Sequence, residues 1–123
     1  MFTRLRAYQL AFGLAMEIFY LSRKFPVEEK YSLTDQIRRS SRSVCANIGE
    51  AYRKRQYKAH FISKLSDSDM ENTETQVWLR FALECNYINT VEYEKLMRKS
   101  SEIGRIVSYM IKFPSKFLPA QEK

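Results

Sequence analysis

The sequence predicts an all-α protein, an antiparallel up-down-up-down four-helix bundle. Three observations lead there. Four stretches repeat apolar residues at spacings of three and four. The connections between them are short, which favours antiparallel neighbours. The chain holds only three Gly and three Pro, few for an all-β protein with many tight turns. Its 123 residues, 45% of them hydrophobic and 14% aromatic, suffice for one core but not for two. The bundle is assigned to residues 1–112 and a C-terminal tail to residues 113–123.

The first helix is expected from about Thr3 to Lys24, where Phe25-Pro26 stops it. Leu5, Tyr8, Phe12, Ala15 and Phe19 form one apolar stripe. Leu10, Leu14, Ile18 and Leu21 form another. A helix apolar nearly all round is covered on both sides, which in so small a protein calls for another subunit. The second helix is expected from Leu33 to Arg55, with Leu33, Ile37, Ser41, Val44, Ile48 and Tyr52 facing inward. The third is expected from Tyr57 to Asn86, with the stripe Phe61, Leu65, Ser68, Asn72, Thr75, Leu79 and Leu83. "NYINTVEY" is the turn into the fourth helix, with Thr90 as its N-cap. That helix carries Tyr93, Leu96, Met97, Ser100, Ile103, Val107 and Met110 or Ile111. The tail "FPSKFLPAQEK" reads as extended and frayed. Tandem repeats are absent.

Basic residues number 21 against 14 acidic ones, a net charge of +7. This excess favours acidic partners such as RNA, DNA, an anionic membrane or an acidic protein. No apolar run is long enough for a membrane span, and the start lacks the pattern of a signal peptide. Cys45 and Cys85 stand alone, outside any CxxC pair. They read as reduced, mostly buried residues of a cytoplasmic protein.

"DQIRRSSRSVCANIGEAYRKRQYK", residues 35–58, concentrates the charge. At about 100° per residue, Arg38, Arg39, Arg42 and Arg53 cluster opposite the inward stripe of the second helix. Lys54, Arg55 and Lys58 extend the patch past its end. Ala46 and Gly49 lie among the arginines, small enough to admit another backbone or a phosphate. Arginine binds phosphate bidentately, and a row of them can follow a nucleic-acid backbone without reading bases. The competing reading is a solvated face, partly paired with acids of a neighbouring subunit.

The middle of the third stripe is polar. Ser68, Asn72 and Thr75 point inward if their apolar neighbours do, and buried polar groups need partners. Asn47 and Ser40 border the buried face of the second helix. An interior polar network of Asn47, Glu50, Ser68, Glu71, Asn72 and Thr75 is therefore expected, with Glu50, Glu71 and Glu74 available to Arg39 or Arg42. It fixes helix register rather than catalysing a reaction.

Chemistry finds little footing. Asp67, Asp69 and Glu71 begin with calcium-loop spacing, but Asn72 and Trp78 occupy positions that need Gly and Glu, so no metal site is assigned. His60 is the single histidine and reads as a surface residue. Trp78 reads as packed against the tail or a subunit. No phosphate loop, zinc motif or nucleophile elbow occurs. The expectation is a protein that is not an enzyme and uses no cofactor.

"FPVEEKYSLTDQIRRSSRSVCANIGEAYRK" resembles the signature of the S23 ribosomal proteins, also called intervening-sequence proteins. Some of these are encoded inside insertions in bacterial large-subunit ribosomal RNA genes. "FISKLSDSDMENTETQVWLRFALECNYI" resembles the third helix and following turn of the same family. The likeness runs from Tyr8 to about Lys112. It implies a homopentamer, and kinship with accessory proteins of diversity-generating retroelements, which bind nucleic acid and a reverse transcriptase. Cys45 stands where many members have Pro, and Gly49-Glu50-Ala51 where they have Ala-Glu-Gly. The sequence thus points to an oligomeric binding protein that contacts RNA or DNA. A protein-interaction scaffold without nucleic-acid binding is the alternative.

Overall fold

The computed structural model describes residues 1–119. It contains four α-helices, α1 (Arg6–Ser22), α2 (Leu33–Arg53), α3 (Lys58–Glu84) and α4 (Thr90–Lys112), and among the described residues no strand. Three single-turn 3-10 helices lie at Phe2–Arg4, Val27–Glu29 and Pro114–Lys116. The arrangement is consistent with a four-helix bundle: α2 packs on α1 and α3, while α4 packs on α3 and α1. Among the described residues no helix is long and apolar enough to cross a membrane.

Helix ends follow local chemistry. α1 yields to the turn before Pro26. α3 ends at Glu84, and two residues on Asn86 has a left-handed φ of 62°. Tyr87 N–H then donates to Ala82 O, and Asn86 N–H to Leu83 O, both at 2.9 Å, which satisfies carbonyls left open by the helix end. The cap of α4 is Asn89, not Thr90. Asn89 Oδ1 accepts from Glu92 N–H, and the Glu92 carboxylate in turn accepts from Asn89 N–H. This capping box satisfies two orphan donors at once, which a Thr one residue later could not do from inside the helix.

The core is built from the predicted faces of α2, α3 and α4. Ile37, Val44, Ile48, Phe61, Leu65, Leu79, Leu96, Ile103 and Val107 are all buried. Phe61 is fully enclosed, and burying such a ring contributes about 1.5–3 kcal/mol. α1 differs from expectation. Its inward face is Ala7, Ala11, Leu14, Ile18 and Ser22, lying between the two apolar stripes. Phe12, Met16 and Tyr20 remain exposed.

The tail is not extended over its described part. Phe113 and Pro114 lead into a 3-10 turn, Leu118 is buried, and Phe117 lies 6.4 Å from Phe61 and 6.3 Å from Tyr109, centroid to centroid. Burial of Leu118 and partial burial of Phe117 outweigh the two-proline composition that suggested fraying. Residues 120–123 of the expected tail lie outside the described residues.

Candidate nucleic-acid interface

The basic residues of α2 occupy different surroundings along its length. Arg38 is half-buried. Its Nε donates to Ser22 Oγ at 2.8 Å, and its guanidinium lies 4.8 Å from the Phe19 ring. Burial first, then repulsion from Arg42 and Arg23, lowers its pKa from the ordinary guanidinium value. Arg42 is exposed and stands 5.7 Å from the same ring. Arg39 is exposed on the side toward α3. Arg53, Lys54 and Lys58 are exposed at the α2–α3 turn. Arg55 covers the Tyr52 ring at 3.8 Å and donates to Tyr52 O at 3.0 Å. Among the described residues none of these seven cations pairs with a carboxylate. The ion pairs instead join Arg6 to Glu102, Lys64 to Glu50, Arg80 to Glu84, and Lys95 and Lys99 to Glu17. Proximity to Arg23 was not read from the sequence, because it depends on the chain turning back between α1 and α2.

Gly49 does not offer open backbone. A Cβ there would meet the Phe2 ring at 3.4 Å, because the N-terminal 3-10 turn folds over it. Ala46 stays exposed. Beside them α1 and α2 enclose an apolar groove of about 720 Å³, floored by Tyr8, Phe12 and Met16 and edged by Arg42, Arg53 and Lys54.

The interior polar contacts bring together some expected residues and omit others. Ser68 Oγ donates to Val44 O at 2.8 Å, and Thr75 Oγ1 to Ser40 Oγ at 2.8 Å. Asn72 Nδ2 donates to Ser100 O at 2.9 Å, and Ser100 Oγ returns a bond to Asn72 Oδ1 at 2.8 Å. Gln76 Nε2 also donates to Ser100 Oγ, at 2.9 Å. Among the described residues every buried side-chain polar atom has a partner. Two expectations, for Asn47 and Glu50, are corrected. Asn47 bonds only to Ser43, one turn back on its own helix, because it lies at the edge of the packed face. Glu50 is exposed and pairs with Lys64 at 3.1 Å, not with Arg39 or Arg42. Glu71 sits half-buried beside Glu74 and Asp67. Burial, then those two carboxylates, raises its pKa, with Arg39 opposing. Ser100 and Gln76 were missed, since a serine in an apolar stripe gives no signal of what will face it.

Chemically reactive groups are few. Cys45 is buried, its Sγ 3.9 Å from Tyr8 O, and burial pushes the thiol pKa up, which suppresses the thiolate. Cys85 is exposed, contrary to expectation, because it caps the end of α3, where the chain leaves the core. His60 is exposed next to Tyr57. Trp78 is half-buried, leans on Phe81 and donates to Glu74 Oε1 at 3.4 Å. Among the described residues no group of three or more His, Cys, Asp or Glu side chains could hold a metal.

A family model described as 23S rRNA-intervening sequence protein matches residues 3–109. The chain belongs to that family. A solved relative agrees with the assignment. It is a crystal structure of a protein with unknown function from the S23 ribosomal protein family of Bacteroides thetaiotaomicron VPI-5482. It shares 32% identity, covers 91% of this chain and 99% of its own, and superposes with a TM-score of 0.79. No curated protein matches the chain. The intervening-sequence family model thus takes in the whole basic stretch of α2 and the polar middle of α3.

Proposed function

We propose that this intervening-sequence family member is a non-enzymatic, oligomeric protein that contacts the backbone of RNA or DNA through the basic surface of α2. One observation carries the reading. Arg38, Arg39, Arg42, Arg53, Lys54, Arg55 and Lys58 have no carboxylate partner among the described residues, although the chain holds 14 acidic side chains. Charge left uncompensated inside the chain is available to an anionic ligand. Phosphate neutralisation by such groups is sequence-blind and salt-sensitive.

Within this reading the helices alternate up-down-up-down. Val44 meets Ser68 while Ser40 meets Thr75, and Arg6 meets Glu102 while Glu17 meets Lys95. In both pairs one helix is traversed backward as the other runs forward. The protein acts in the cytoplasm as a homopentamer, the number five following from the family resemblance. Exposed Phe12, Met16 and Tyr20 on α1 and Met70, Val77 and Phe81 on α3 supply apolar surface for subunit contacts. The apolar groove between α1 and α2 favours the second reading, a protein-interaction scaffold. A reverse transcriptase or other protein would then be the partner.

Recovery of the tagged protein from its host, with sequencing of bound nucleic acid and identification of bound proteins, separates the two. The first reading predicts enriched RNA or DNA, lost when Arg39, Arg42, Arg53 and Lys54 are changed to Glu. Nuclease-resistant recovery of one protein partner, with no enriched nucleic acid, would instead establish the scaffold.

A further inference from the structure

The fold gathers cations that lie far apart in the sequence. One end of the molecule joins the starts of α1 and α3 to the ends of α2 and α4. Phe2 covers Gly49, Arg6 meets Glu102, and Phe117 packs between Phe61 and Tyr109. Met1, Tyr52, Arg53, Arg55 and Pro119 surround a common recess there. This end presents Arg4, Arg53, Lys54, Arg55, Lys58 and Lys116, none paired with a carboxylate among the described residues. The nearby Glu50 and Glu102 are already engaged by Lys64 and Arg6. At the opposite end acids and bases mix, with Glu28, Glu29, Glu84 and Glu92 beside Lys24, Lys30 and Arg80.

Exposed rings stand among these cations. Tyr57 is 55% exposed, Tyr109 42% and Phe113 40%. Lys116 Nζ lies 5.2 Å from the Tyr109 ring and 5.4 Å from Phe113. Farther along α2 the one ring near the cations, Phe19, is half-buried, and Arg38 is itself half-buried and bonded to Ser22. Cations interleaved with partly exposed aromatic rings, Tyr57 the most open of them, suit a strand whose phosphates meet charge and whose unpaired bases stack. A duplex offers no free base faces to those rings.

We propose that this basic, ring-bearing end of the bundle binds single-stranded nucleic acid. The assignment rests on the nucleic-acid reading above. It places the contact at the α2–α3 turn, the N-terminal turn and the tail rather than along the middle of α2.

Fluorescence anisotropy of a short labelled oligouridylate tests it, with two double variants of equal charge change. Lys58→Glu with Lys116→Glu alters the end; Arg39→Glu with Arg42→Glu alters the side. All four side chains are exposed, and circular dichroism checks that each variant stays folded. The end variant should lose about tenfold or more in affinity, and the side variant much less. Tyr57→Ala should weaken the single strand more than a duplex of the same length. Equal losses in the two variants, or a larger loss in the side variant, would overturn the end assignment while leaving nucleic-acid binding intact. No binding by the unaltered protein even at low salt would sink both. Tighter binding to phosphatidylserine vesicles than to the oligonucleotide, lost in the end variant, would overturn the proposal in favour of a membrane surface.

Discussion

Asn72 stands where α3 faces α4, 3% exposed, with both ends of its amide engaged by Ser100. Replacing it with Ala removes both bonds and leaves Ser100 short of a partner in the interior. Unsatisfied buried polar groups cost about 1–3 kcal/mol each. Asn72→Ala should therefore lower the unfolding free energy by about 2–3 kcal/mol in urea titration at fixed protein concentration. A loss below about 0.5 kcal/mol would mean that the pair contributes nothing net. The inward placement of Ser68, Asn72 and Thr75 was legible because they continue an apolar stripe. Their partners were not legible. Periodicity gives the direction of a side chain around its own helix, but it does not give the height at which the next helix meets it. Asn47 and Glu50 show the same limit from the other side. Both lie at the edge of a face, where a side chain can turn to its own helix or to solvent at little cost.

At the scale of elements, α2 was read to within two residues and the buried face of α4 residue by residue, because their polar and apolar faces separate cleanly. The short 3-10 turns at either end of the chain were not, since three residues carry no periodicity. The two loops at the opposite end of the bundle illustrate a tertiary tie that no local signal reports. Tyr87, between α3 and α4, donates its hydroxyl to Glu29 Oε2 at 2.8 Å, and the ring lies 5.4 Å from Phe25. The bond to Glu29 is the main reason that the Tyr87 pKa is pushed up to about 12. A tyrosine whose folded pKa exceeds its unfolded value of about 10 stabilises the fold below pH 10. That contribution is lost as pH rises toward about 12. The stability difference between the unaltered protein and Tyr87→Phe should accordingly be constant below pH 10 and shrink above it. A difference independent of pH across that window would show that the hydroxyl is not tied to the carboxylate in solution.

For the whole molecule, the governing feature is the mismatch between where its acids pair and where its bases stand open. The sequence made the excess of charge and the row on α2 plain. It did not reveal that Arg4 and Lys116 join the end of that row, because the grouping depends on the N-terminal turn and residues 113–119 folding over one end of the bundle. The exposed apolar side chains of α1 and α3 follow the same logic. A helix apolar on more than one side was visible in the sequence, but the side left open emerged only once Ala7, Ala11, Leu14 and Ile18 had taken the core. The most direct test of uncompensated charge acting on a nucleic-acid backbone is the salt dependence of affinity for a labelled single strand, between roughly 50 and 200 mM salt. Each neutralised phosphate contributes a slope of about −0.7 to log affinity against log salt. We predict a slope of about −3 or steeper for the unaltered protein, shallower in the Lys58→Glu, Lys116→Glu variant. A slope near zero, or no binding at the lowest salt, would contradict it.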